Sequence, residues 1–83
     1  MYHVYILKSD KDNCLYIGQT NNLQDRLRRH NSGEIKSTRN RRPLRIIYSE
    51  EYKTRAESLR REKYLKKLKG GNEFKKIIKS KIK

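Results

Sequence analysis

Five side chains in this sequence carry chemistry that a solvated surface does not need. Glu62 lies three residues after Leu59 and three before Leu65. At helical spacing this puts a carboxylate between two apolar positions, where it is costly unless it is paired or holds a metal. It is also the only acid between Ser58 and Gly71, a stretch crowded with lysine and arginine. The plain alternative is an ion pair with Arg61 or Lys66. Tyr5 and Tyr16 are phenols set in two apolar runs, and Arg26 and His30 stand four residues apart. A guanidinium can meet anionic oxygens, and an imidazole or a phenol can orient or accept a proton. Taken singly, each has a structural alternative: a cross-strand aromatic pair, a snorkelling arginine, and a histidine favoured by a helix C-terminus.

Positioning these groups requires a scaffold. Residues 2–8 are aromatic and β-branched and predict a strand, residues 9–12 a polar turn, and residues 13–18 a second strand. A four-residue turn pairs Lys8 with Asn13, Tyr5 with Tyr16 and His3 with Gly18. Side chains alternate along strands, so Val4, Ile6, Leu15 and Ile17 form the predicted core face and the two tyrosines share the other. Gly18 beside them allows close approach. Asn22 is a predicted N-cap with Asp25 three residues on, Leu23 and Leu27 mark a buried stripe, and Gly33 supplies a left-handed stop. On that helix Arg26 falls about 60° and His30 about 20° from Leu23, so both border the stripe. A basic loop over 34–43 leads to a third strand at 44–48. A second helix over 54–69 has Ala56, Leu59, Leu65 and Leu68 as its apolar positions and ends at Gly70-Gly71. Phe74, Ile77, Ile78 and Ile82 are spaced for a short last helix. The order β-β-α-β-α-α predicts one α+β domain over 1–83, with a three-stranded sheet packed against helices.

Charge narrows the function class. The chain carries a formal +14, and its first 25 residues hold a net −1 while the rest hold +15. A cationic surface of that size attracts polyphosphate. Arg39, Arg41 and Arg42 in the loop, with Arg61 and Lys63 on the second helix, are the expected phosphate contacts. The single cysteine, Cys14, has no disulfide partner, and no cysteine–histidine cluster has zinc spacing. The apolar run Val4-Tyr5-Ile6-Leu7 is too short for a signal peptide or a membrane span, so a cytoplasmic setting is expected. Two other readings stay open: a basic binder without chemistry, and a membrane-surface protein using its basic, Ile-containing tail.

Together, Val4-Tyr5, then Tyr16-Ile17-Gly18, then Asn22-Leu23-Gln24-Asp25-Arg26-Leu27 with His30, and finally Arg61-Glu62-Lys63 resemble the GIY-YIG nuclease family. The likeness runs from about Tyr2 to about Leu68. It is closest to the small stand-alone bacterial type, which is similar to the incision module of the bacterial excision-repair nuclease. His3-Val4 stands where the name-giving motif has Gly-Ile. The resemblance implies a three-stranded antiparallel sheet flanked by helices and a metal-dependent endonuclease acting on DNA, in repair or recombination. It implies catalytic roles for Tyr5, Tyr16, Arg26, His30 and Glu62, with Glu62 as metal ligand. The expected cofactor is one Mg²⁺ or Mn²⁺, since no second carboxylate is placed to share it. Tyr5 or Tyr16 would orient or deprotonate water, with His30 as proton acceptor, and residue types alone do not rank the two phenols.

Overall fold

A computed structural model describes residues 1–81. The strands are β1 (Tyr2–Ser9), β2 (Leu15–Thr20) and β3 (Leu44–Tyr52), and the helices are α1 (Leu23–Ser32), α2 (Arg55–Leu68) and α3 (Asn72–Lys81). A single 3₁₀ turn (Arg39–Arg41) sits in the loop before β3. The sheet is fully antiparallel with β1 in the middle, in the order β2-β1-β3. The predicted α+β architecture and its element order are therefore observed. Ile82 lies outside the described residues.

The central place of β1 follows from its composition. Val4-Tyr5-Ile6-Leu7 is an unbroken apolar run, suited to a strand covered on both faces, and all four residues are at most 1% exposed. On one face Val4, Ile6 and Ile17 pack with Tyr48, Leu65 and Phe74, and Leu68 of α2 with Ile77 and Ile78 of α3 close over them. On the other face Tyr5, Leu7 and Leu44 pack with Tyr16, Leu23, Leu27 and Ile46, which brings in α1. The tyrosine face expected to be an open site is thus a second core.

The β1–β2 register differs by two residues from the expected one. Tyr5 lies opposite Gly18 and His3 opposite Thr20, while Tyr16 faces Leu7. Local hydrogen bonds lengthen the turn. The Ser9 hydroxyl accepts from the amides of Lys11 and Asp12, Asp12 accepts from the Cys14 amide, and Asn13 takes a left-handed φ of 62°. These bonds extend β1 to Ser9 and delay β2 to Leu15. An even slip keeps every side chain on its expected face, so the grouping of Tyr5 with Tyr16 survives.

The third strand runs four residues beyond its predicted end at Tyr48 and carries a bulge opposite Ile6/Leu7. An extra residue in one strand reverses the alternation beyond it. Leu44 and Ile46 therefore face α1, whereas Tyr48 joins the α2 face. Helix α1 forms as its punctuation predicts. The Asn22 side chain accepts from the Asp25 amide, and Gly33 closes the helix at φ 86°. On α2 the buried positions are Ser58 and Leu65, and Leu59 is 42% exposed. The expected stripe through Ala56 and Leu59 is therefore rotated by about one residue. No helix among the described residues is long and apolar enough to cross a membrane.

The rotated stripe predicts a contrast. Leu65→Ala removes fully buried atoms and should cost about 2–5 kcal/mol. Leu59→Ala should stay within about 0.5 kcal/mol of wild type. Urea unfolding of the two variants measures both, and equal losses would contradict this packing.

Candidate active site

Of the five sequence-selected residues, Tyr5, Tyr16 and His30 form one contact group, and the charges of Arg26 and Glu62 act on the Tyr5 hydroxyl from farther off. The Tyr5 ring lies over Gly18, and a Cβ at position 18 would collide with the hydroxyl itself. Here the missing side chain of glycine is a spatial requirement. From this seat the Tyr5 hydroxyl meets His30 Nε2 at 3.1 Å, and His30 Nδ1 meets Thr38 Oγ1 at 2.7 Å. Thr38 directs its own hydrogen to the Ile35 carbonyl at 3.5 Å. That polarity orders the chain: His30 Nδ1–H donates to Thr38, Nε2 is the bare nitrogen, and Tyr5 donates to it. Tyr5, His30 and Thr38 are each at most 1% exposed.

Three elements supply this chain, and each has a local reason. The even alternation of β1 aims Tyr5 at α1. His30 follows Leu23 and Leu27 by seven and three residues on α1, so it shares their buried side. Thr38 is delivered by the basic loop, whose backbone is tied down by arginines. Arg39 Nε donates to the Gly33 carbonyl at 2.9 Å and Arg42 Nε to the Arg39 carbonyl at 2.8 Å. Nothing in the sequence singled out Thr38, because its partner is reached only through the tertiary fold.

Tyr16 completes the aromatic group differently. Its ring meets the His30 ring edge-on with centroids 5.0 Å apart, and lies 6.5 Å from that of Tyr5. It is half-buried, and its hydroxyl makes no hydrogen bond among the described residues. The two phenols thereby separate: that of Tyr5 is consumed internally, and that of Tyr16 is available. His30 has both ring nitrogens engaged, which leaves neither of them open to solvent.

Electrostatics ties in the two charged residues. Burial pushes the Tyr5 phenol above its ordinary value of 10; Tyr16 adds to this, Arg26 opposes it and Glu62 adds again. Charges on α1 and α2 are thus both felt at one hydroxyl. Burial, then the Arg26 charge, lowers His30 from 6.5 to about 4, so the imidazole is neutral at pH 7. Glu62, its side chain 18% exposed, forms through Oε2 the ion pair with Lys66 Nζ, at 3.2 Å, that the sequence offers as the plain alternative. Its other oxygen has no hydrogen-bond partner among the described residues. No cluster of three or more His, Cys, Asp or Glu exists among them either. One carboxylate with water and substrate oxygens completing the shell is a donor set that Mg²⁺ accepts.

The chain belongs to the GIY-YIG family. The model of the GIY-YIG catalytic domain matches residues 1–76. A UPF0213 protein of Clostridium perfringens is 48% identical over 69 residues, covering 82% of this chain and 73% of that protein. A UPF0213 protein of Staphylococcus haemolyticus is 42% identical over 66 residues, covering 78% of this chain and 79% of that one. The solution NMR structure of the UPF0213 protein BH0048 from Bacillus halodurans aligns with a TM-score of 0.62 at 30% identity, over 98% of this chain and 86% of that one. In GIY-YIG terms, Tyr5 closes the first motif and Tyr16-Ile17-Gly18 is the second. Here the glycine of the second motif seats the tyrosine of the first. The family is of the nuclease type, and nucleic acid is its class of partner.

The expected phosphate contacts fall into two groups. Arg39, Arg41, Arg42 and Lys63 are exposed, and Arg41 also reaches Asp12 at 3.4 Å. Arg61 departs from expectation: its fork closes on Glu50, with Nε to Oε1 at 2.9 Å and the terminal nitrogen to Oε2 at 3.0 Å. The Tyr48 and Tyr52 hydroxyls also donate to Glu50. Burial alone would raise the Glu50 carboxyl, yet Arg61 and the two hydroxyls hold it below its ordinary value. Burial, then Glu50, pushes Tyr48 and Tyr52 up to about 12. Glu50 carries no mark in the sequence, because the bulge that turns it toward α2 leaves no signal in composition.

The buried neutral His30 makes stability depend on pH. Its folded-state value lies below the unfolded one, so its contribution is complete above about pH 6.5 and is lost as pH falls toward 4. Over that window the loss should reach roughly 2–3 kcal/mol. Urea titrations between pH 7 and 4 read the slope directly, and His30→Gln should flatten it.

Proposed function

We propose that this protein is a divalent-metal-dependent endonuclease that hydrolyses phosphodiester bonds in DNA. The observation that carries the reading is the convergence at Tyr5. Residues from β1, β2 and α1 meet there, next to one phenol whose hydroxyl is uncommitted, and the Arg26 and Glu62 charges bear on the Tyr5 phenol. A protein that only gripped phosphate would have no use for a carboxylate whose charge bears on that group.

The roles follow from what each side chain has free. Tyr16 offers its hydroxyl to the attacking water and sets the water's direction of approach. Tyr5, His30 and Thr38 are positioning residues: their hydrogen-bond chain fixes the His30 ring against which Tyr16 packs. Arg26 presents a permanently charged fork to the non-bridging oxygens, where charge grows as the new bond forms. Glu62 would hold the ion through its free oxygen. Once bound, a single Mg²⁺ or Mn²⁺ polarises the phosphate and stabilises the departing oxygen. The exposed cations of the loop, Arg39, Arg41 and Arg42, and Lys63 of α2 hold flanking phosphates, whereas Arg61 works inside the protein.

The test uses labelled duplex, branched, flapped and single-stranded DNA with Mg²⁺, Mn²⁺ or chelator. Wild type should cleave at least one form only when metal is present. Glu62→Gln keeps shape but loses the charge and should abolish cleavage while still binding DNA. Arg26→Ala should slow cleavage about 10²- to 10³-fold. The two tyrosines should part company. Tyr16→Phe should reduce turnover at near wild-type stability. Tyr5→Phe leaves buried His30 Nε2 without its donor and should cost about 1–3 kcal/mol of stability as well. Equal cleavage by wild type and Glu62→Gln would overturn the proposal. No cleavage of any form with either metal would leave a binding protein on a nuclease fold.

A further inference from the structure

We propose that Arg55 is the second arm of a two-arginine phosphate clamp whose first arm is Arg26. The inference rests on the nucleic-acid reading above and adds to it a residue that no motif marks. A cleft of about 130 Å³ lies at the end of the sheet away from the β1–β2 turn. Tyr2, Gln19, Thr20, Asn21, Arg26 and Arg55 line it. Its walls are polar, no carboxylate lines it, and two arginines line it from different helices.

Five of the ten arginines are paired with acids. Arg28, Arg29, Arg41, Arg45 and Arg61 each have an acid within ion-pair distance. Among the described residues Arg26, Arg39, Arg42, Arg55 and Arg60 have none, and of these Arg26 and Arg55 line one cleft. Two cations facing one small space repel each other, and an anion between them reverses the sign of that interaction. The corner is also built to stay in place. Thr20 Oγ1 donates to the Asn22 carbonyl at 3.3 Å and accepts from the Asn22 amide at 3.1 Å. The Thr54 side chain caps α2 by accepting from the Glu57 amide, which makes Arg55 the first residue of the helix. A volume of about 130 Å³ gives the cleft room for one phosphate group. Arg26 joins it to the reacting centre, since its charge is felt at both Tyr5 and His30.

The experiment measures affinity for a labelled duplex in chelator, so that nothing is cut. Wild type is compared with Arg55→Ala, Arg26→Ala, the double variant, and Arg60→Ala as an exposed α2 cation outside the cleft. Arg55→Ala should weaken binding about tenfold, the scale of one charge-assisted hydrogen bond, and by more than Arg60→Ala. Its log K against log salt should be shallower by about one. Because both arms hold one phosphate, the double variant should lose less than the product of the single losses. An Arg55→Ala loss no larger than that of Arg60→Ala, or strictly multiplicative losses, would overturn the clamp. If wild type binds no DNA at all, the nuclease reading fails separately. Titration with inorganic phosphate then still decides the cleft: the Nε–H resonances of Arg26 and Arg55 should shift together, and unmoved resonances would refute it.

Discussion

Much of this structure depends on one buried hydrogen bond, from the Tyr5 hydroxyl to His30 Nε2. It joins the central strand to α1, and through Nδ1 it reaches Thr38 in the basic loop. Each polar atom in the chain is buried, so each needs its partner. The bond also dictates that position 18 have no side chain, because the Tyr5 hydroxyl occupies that space. Tyr5, Tyr16 and His30 of the candidate site are therefore also part of the packing on the α1 side of the sheet, and these residues cannot be varied independently of the fold.

A second polar centre sets the phase of α2. The bulge in β3 turns Tyr48, Glu50 and Tyr52 toward that helix, and Glu50 receives the Arg61 fork. The pair is partly shielded from water, with side chains 28% and 14% exposed. Together with the buried Leu65, it leaves α2 little freedom to rotate about its axis. Glu62 is the next residue along, and its charge bears on the Tyr5 phenol.

The acids are largely spent on the protein's own arginines and lysines. Asp10, Asp12, Asp25, Glu34, Glu50 and Glu62 all lie in ion pairs. Most of these pairs are on the surface and add little stability. Their effect is to fix where positive charge remains uncompensated, Arg26 with Arg55 and the loop's Arg39 and Arg42 among those places.

The sequence alone determined what depends on neighbours along the chain. Strand and helix order, the Asn22 cap, the Gly33 stop and the alternation that groups Tyr5 with Tyr16 are short-range effects, and each is present. The α1 residues Arg26 and His30 were legible for the same reason, since helical phase needs only local spacing. Tertiary structure decided what depends on distant partners. It lengthened the β1–β2 turn through Ser9 and Asp12, buried the tyrosine face under α1, and exposed Leu59 by rotating the α2 stripe toward Ser58. It also withdrew Arg61 from solvent to meet Glu50, and chose Thr38 as the partner of His30. Those outcomes follow from the satisfaction of buried polar groups across elements, a condition that hydrophobic periodicity does not encode.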